Sequence, residues 1–224
     1  AAMMEPPGGT ALVEESIREA LDFRRAMRKV DKDFGRDWWF KVWGPDKLVA
    51  DGIGTREQWM LGANEKWHGF GNLATGFNLL DPIKSTIVTP GLDVAGKFAK
   101  TGIPASIVTK FLAEHGVVVE KTGLYSLFVM FTIGITKGRW NTLVTALQQF
   151  KDDYDRNQPM WRILPEFCAA HPTYERMGLR DLSQAIHETY AKGDIARLTT
   201  DMYLSDLQPA MKPSDAFAHI AHRQ

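Results

Sequence analysis

The residue pattern of this chain predicts an α+β fold in which a short set of strands is flanked by helices. Three observations carry that expectation. Residues 83–89 have alternating character and are bracketed by Asp81-Pro82 and Pro90-Gly91, as a strand would be. Residues 117–119 and 125–133 are β-branched and aromatic runs that read as buried strands, with one charged pair, Glu120 and Lys121, between them. Helical spacing governs the segments on either side, from Val13 to Met27 and from Trp140 to Arg156.

The elements follow in order. Pro6-Pro7-Gly8-Gly9 makes a turn, and Thr10 is placed to cap the first helix. Val13, Ile17, Ala20, Leu21 and Met27 share one face of it, through about Val30, while Arg24, Arg25, Arg28 and Lys29 crowd its C-terminal half, as the helix dipole favours. Residues 38–43 are strand-like and aromatic, and Gly44-Pro45 stops them. Glycines at 44, 52, 54, 62, 69, 71 and 76 make residues 44–80 a loop-rich connector with one or two short strands. Pro104 suits the first residue of a helix running to about His115, closed by Gly116. Thr122 and Gly123 form the turn between the two runs around Glu120. A helix over about 140–156 then buries Leu143, Leu147 and Phe150, and Pro159, Pro165, Pro172, Pro209 and Pro213 cut the remainder into helical pieces.

Composition removes several classes of function. Lys plus Arg and Asp plus Glu each number 27, and no segment forms a basic stripe, which argues against a nucleic-acid partner. The single cysteine, Cys168, excludes an internal disulfide and suits a reducing cytoplasm. No apolar run reaches the ~20 residues of a membrane helix, and no signal peptide is visible. None of the six histidines stands in an HExxH arrangement: His187-Glu188 is an isolated pair, and His219 and His222 lie near the end, so no metal site is expected. Gly69-Phe70-Gly71 lacks the further glycine of a dinucleotide loop, and no serine sits in a nucleophile elbow. The tryptophans at 38, 39, 43, 59 and 67 read as a packed core or a subunit contact. The opening Ala1-Ala2-Met3-Met4 is expected of a piece of something longer.

Glu120 is the candidate that remains. A carboxylate at the end of a buried strand must meet solvent, a partner or a ligand, because leaving it unpaired inside is expensive. A surface pair with Lys121 is the alternative, and such a pair contributes little.

The residues also resemble a family. DPIKSTIVTPG at 81–91 is similar to the DPxKxTxxxPG stretch of the bacterial inducible ornithine/lysine/arginine decarboxylases. GIPA at 102–105, VTKFL at 108–112, VEKTG at 119–123 and GITKGRW at 134–140 continue the match, as do Phe150-Lys151, Tyr154-Asp155 and Leu164-Pro165. Upstream, WHGF at 67–70 and the helix around Ile17 to Arg25 resemble the same family, so the likeness spans nearly the whole chain.

These are pyridoxal-phosphate enzymes of the aspartate-aminotransferase fold, fold type I. The resemblance implies that residues 1–80 are the end of the large, cofactor-binding domain, and that 81–224 are a small β-α-β-β-α domain with extra C-terminal helices, incomplete at its C-terminus. It implies removal of the α-carboxylate of lysine, ornithine or arginine as carbon dioxide, with the pyridinium ring as electron sink. It implies Glu120 as the residue that takes the substrate's distal cationic group, and a homodimer or larger homo-oligomer in the cytoplasm. A single carboxylate tilts the preference toward an ammonium substrate, lysine or ornithine, although Arg139 and Trp140 resemble the arginine branch as much. No histidine here precedes a lysine, so the family's Ser/Thr-x-His-Lys cofactor motif is absent, and no catalytic or cofactor-binding residue is assigned in this chain. The fragment alone is expected to be inactive. The competing reading is a non-catalytic small-domain module or regulatory homologue that binds a protein partner.

Overall fold

Helix α1 (Gly8–Phe34) buries Ala20, Leu21 and Met27 of the face that the spacing predicts, buries Phe23 in addition, and leaves Val13 exposed. The computed structural model describes residues 5–45, 56–74, 76, 78–206 and 210–218, so the expectations on residues 1–4, Gly52, Gly54, Pro209, His219 and His222 lie outside the described residues. Thr10 does not cap the helix. Pro7 stands at the cap, its restricted φ already helical at −85°, and the helix therefore begins ahead of Thr10. Gly35, at φ +66°, ends it, and its N–H bonds the carbonyls of Asp31 and Lys32.

The aromatic segment is mostly core and only briefly strand. Trp39 and Phe40 are both buried, which neighbours on a regular strand facing one core cannot be. Only β1 (Lys41–Val42) pairs. Trp39 stacks on Phe34 with ring centroids 5.3 Å apart, and Phe40 meets Phe150 edge-on at 5.8 Å. The connector holds a short helix, α2 (Arg56–Trp59), and one isolated antiparallel bridge between Met60 and Leu79, in place of the expected strands. Its buried His68 accepts the Phe70 N–H at Nδ1 and donates from Nε2 to the Gly62 carbonyl, so the WHGF motif builds a tight loop.

From residue 81 the expected β-α-β-β-α order is observed: β2 (Lys84–Val88), α3 (Ala105–Glu114), β3 (Lys121–Thr122), β4 (Ser126–Met130) and α4 (Lys137–Asp155). The sheet order is β1-β2-β4-β3, antiparallel throughout, with Ile87 opposite Leu127 and Ser85 opposite Val129. That face joins one apolar core with Phe23 of α1, Phe111 of α3 and Leu147 and Phe150 of α4, so the core crosses residue 80.

Residues 117–119 are not a strand. Gly116, at φ +76°, turns the chain out of α3, its N–H bonds Ala113, and the Val117 N–H bonds back to Leu112. This helix-ending pattern uses the backbone donors a ladder would need, and Val118 is left 89% exposed. The turn of the β3–β4 hairpin lies at Gly123–Leu124–Tyr125, with Thr122 still paired in β3. Past α4 the chain makes α5 (Met160–Ile163), α6 (Pro165–Ala170), a 3₁₀ turn (Pro172–Tyr174), α7 (Leu179–Lys192), α8 (Ile195–Leu204) and α9 (Pro213–Ala218). Prolines open four of these pieces or stand just before them, as their lack of an N–H allows.

Pro90-Gly91 makes a tight junction just past the end of β2. Gly91 lies at φ +132°, and a Cβ there would come within 2.5 Å of the Tyr125 ring and 2.8 Å of the Gly102 Cα. We expect Gly91→Ala to destabilise by about 1–3 kcal/mol, from backbone strain and displacement of Tyr125 together, as read by urea unfolding.

Candidate functional site

At the β3 edge of the sheet a cleft of about 520 Å³ opens between residues 116–120, the end of β4 and the N-terminal turn of α4. Val117, Val129, Ile135 and Leu143 give it apolar walls, Thr132 and Thr142 add hydroxyls, and its two ionisable side chains are Glu120 and Arg139. Among the described residues neither has a side-chain partner. Glu120 does not pair with its neighbour Lys121, the first residue of β3, either. The Glu120 N–H bonds the Phe128 carbonyl at 2.9 Å, one step beyond the last ladder pair. Trp140, on the cleft wall, donates Nε1–H to Glu19 at 2.6 Å and so ties the start of α4 to α1.

One expectation changes here. Glu120 does not close a buried strand; it is an exposed bend residue just before β3, because the preceding valines finish α3 instead of pairing. Its desolvation is thus not supplied by this chain. What the chain supplies is position, an unpaired carboxylate at the mouth of an apolar cleft.

A larger cavity, about 830 Å³, lies between α3, α4 and α5–α6, but the Glu114 carboxylate on its rim already accepts the Phe167 N–H at 3.0 Å. That arrangement caps α6. Among the described residues no cluster of His, Cys, Asp or Glu could hold a metal ion.

Two buried cations, Arg24 and Lys151, hold the scaffold. Arg24, 3% exposed, donates to the carbonyls of Trp43 at 2.9 Å and Lys84 at 3.0 Å, pinning α1 to the ends of β1 and β2. Burial, with Arg28 nearby, pulls its guanidinium down to about 10, still charged at neutral pH. Lys151 is fully buried, yet its ammonium reaches Asp37 at 2.8 Å and Asp155 at 2.6 Å. It also lies over the rings of Phe34 and Trp38, 4.7 and 4.5 Å from their centroids. Burial pulls this lysine down, but the hydrogen bonds and charges of the two aspartates outweigh it and the net shift is upward. The signal was present in the sequence: Val144, Leu147, Lys151 and Tyr154 share one helical stripe, with Asp155 four residues on.

Among the described residues no buried lysine is free to meet a carbonyl cofactor. Among the described lysines only Lys151 is buried, and it is sealed between two carboxylates with its proton held tightly. That is the opposite of the depressed amine a carbonyl cofactor needs.

Tyr125 closes the hairpin that carries Glu120. Burial, and Tyr190 beside it, push its phenol up to about 12 from an ordinary 10.0. A raised acid holds its proton in the fold, so its contribution to stability is complete below pH 10 and is lost as pH rises toward about 12. Tyr125→Phe should therefore flatten the alkaline fall in stability across that window, as read by chemical unfolding at stepped pH.

Comparison with known proteins identifies the class. The family profile described as Orn/Lys/Arg decarboxylase, major domain, matches residues 1–139, and this chain belongs to that family. The lysine decarboxylase LdcA of Pseudomonas aeruginosa is 49% identical over 219 residues, which is 96% of this chain and 29% of the relative. A solved structure of lysine decarboxylase A from Pseudomonas aeruginosa matches with a TM-score of 0.87 at 49% identity, over 96% of this chain and 29% of that one. The inducible lysine decarboxylase of Escherichia coli is 42% identical across 99% of this chain and 30% of its own length. The biodegradative arginine decarboxylase of Escherichia coli is 35% identical, over 83% of this chain and 27% of the relative. The chain thus spans about 30% of the length of these relatives. Among the described residues no helix is long and apolar enough to cross a membrane.

Proposed function

We propose that this chain is the substrate-selecting part of a pyridoxal-phosphate-dependent decarboxylase of basic amino acids, with lysine the preferred substrate. The observation that carries the proposal is the unpaired Glu120 carboxylate at the mouth of a cleft with apolar walls. Those walls suit a tetramethylene chain, and the carboxylate suits the ammonium at its end. Two relatives named for lysine, at 49% and 42% identity, favour the same substrate over arginine. When bound in the parent enzyme the cofactor supplies the electron sink for loss of the α-carboxylate. The residues described here do not hold it, so its lysine is proposed to lie elsewhere in the parent polypeptide.

In this reading residues 1–80 end the large domain and 81–224 belong to the small domain, with α1 as the tie between them. A homodimer or larger homo-oligomer in the cytoplasm is proposed with it. The test is release of carbon dioxide from lysine, ornithine and arginine by the whole polypeptide supplied with cofactor. The highest kcat/KM is expected for lysine. Release from none of the three would reject the proposal and leave the non-catalytic, partner-binding module.

A further inference from the structure

His187 takes no part in the site as described, yet it is 1% exposed and both of its ring nitrogens are engaged. Nε2 lies 2.9 Å from the Ala99 carbonyl, which can only accept, so Nε2 carries the proton. Nδ1 is then an acceptor, and the Tyr125 hydroxyl donates to it at 2.6 Å. The ring is held between the turn of the β3–β4 hairpin and the loop that leads into α3.

The packing at this point admits little movement. A Cβ on Gly102 would fall 2.2 Å from His187 Nδ1, and one on Gly91 would strike the Tyr125 ring. The Phe98 ring stands edge-on to both Tyr125 and His187, with centroids 6.0 and 5.9 Å away. By contrast β3 pairs through only two residues, Lys121 and Thr122, and Glu120 just outside them is held by one backbone bond, its N–H to the Phe128 carbonyl. A two-residue ladder at a sheet edge does not fix a carboxylate by itself. β4 is held by its five-residue ladder to β2. The turn is held at Leu124, whose carbonyl accepts the Ala105 N–H at 2.9 Å, and at Tyr125, whose carbonyl accepts the Thr89 N–H at 2.9 Å and whose side chain ties it to α7.

We propose that His187 of α7 is a positioning residue for Glu120: by holding Tyr125 it sets the β3–β4 hairpin and, through it, the place of the carboxylate in the cleft. The proposal rests on Glu120 being the substrate-selecting carboxylate. It gives α7 a part in specificity although α7 does not line the cleft.

The experiment uses the whole enzyme with cofactor and three variants. Tyr125→Phe keeps the ring and removes the hydroxyl, His187→Phe removes both hydrogen bonds, and His187→Gln keeps an acceptor and a donor. In the first two, hydrogen exchange of the amides from Glu120 to Tyr125 should quicken by about tenfold, and KM for lysine should rise by about tenfold with kcat little changed. His187→Gln should restore both toward the parent. Unchanged exchange in Tyr125→Phe, or exchange that rises evenly over the whole protein, overturns the proposal. So does a loosened hairpin with an unchanged KM where Glu120→Gln raises KM; that outcome leaves the role of Glu120 standing. An unchanged KM in Glu120→Gln overturns the Glu120 reading and the positioning role together.

Discussion

Glu120→Gln in the whole enzyme should lower kcat/KM for lysine by about 2–5 kcal/mol, roughly 30-fold to several-thousand-fold. The size of the loss is informative because two regimes are separated by it. An exposed carboxylate pairing with an ammonium in water is worth only about 0.2–1 kcal/mol. Glu120 is exposed in this chain, so the larger figure requires the bound substrate and the rest of the enzyme to remove water from the pair. Glutamine keeps the shape and removes the charge, which isolates the electrostatic part. Norleucine, with lysine's chain and no ammonium, is the internal control: its slow turnover should be unaffected, and discrimination between the two should collapse. A loss of less than about fivefold would place Glu120 in the exposed regime and reject it as the selector.

Lys151→Ala should reduce the unfolding free energy by roughly 2–5 kcal/mol, the range for truncating a large buried side chain. Lys151→Met should cost under about 1.5 kcal/mol, since it keeps the volume and since buried ion pairs are often replaceable by well-packed apolar groups. Asp37 and Asp155, with side chains 55% and 40% exposed, return to water in either variant. Equal losses in the two variants would show that charge, and not packing, holds α4 to the end of α1. The pH dependence follows from the signs. The Lys151 hydrogen bond holds the Asp37 carboxyl below its ordinary 3.8, so that contribution is present above this value and is lost as pH falls through the lowered one. The lysine is raised above its ordinary 10.5, so its contribution is complete below that value and is lost only as pH rises past it. The difference between parent and Lys151→Met should be flat between these limits and shrink in acid, as urea unfolding at stepped pH will show.

The order of elements from β2 to α4 was legible because each is bounded by local chemistry. Asp81-Pro82 and Pro90-Gly91 bracket β2, and Gly116 closes α3. Leu143, Leu147 and Phe150 recur at helical spacing in α4 and are all buried there. Residues 117–119 were misread because β propensity describes what a segment tolerates, not whether a neighbouring strand is there to pair with it. The aromatic run near Trp39 failed as a strand for a related reason: two adjacent aromatic side chains are buried by α1 and α4 from different directions. The partners of Arg24 and Lys151, carbonyls and a carboxylate far along the chain, are not visible in a one-dimensional pattern, although the stripe that carries Lys151 is.

Family membership and Glu120 as a candidate were both contained in the sequence, since ordered motifs survive without any knowledge of packing. Where the carboxylate stands was decided only by tertiary structure. A two-residue strand and a helix cap that consumes the valines before it bring Glu120 to the cleft that Arg139 also lines. The cap and the short ladder are local, but the β2–β4 ladder that carries the hairpin and the α4 turn that walls the cleft join groups far apart along the chain, and such long-range contacts are what local residue pattern does not encode.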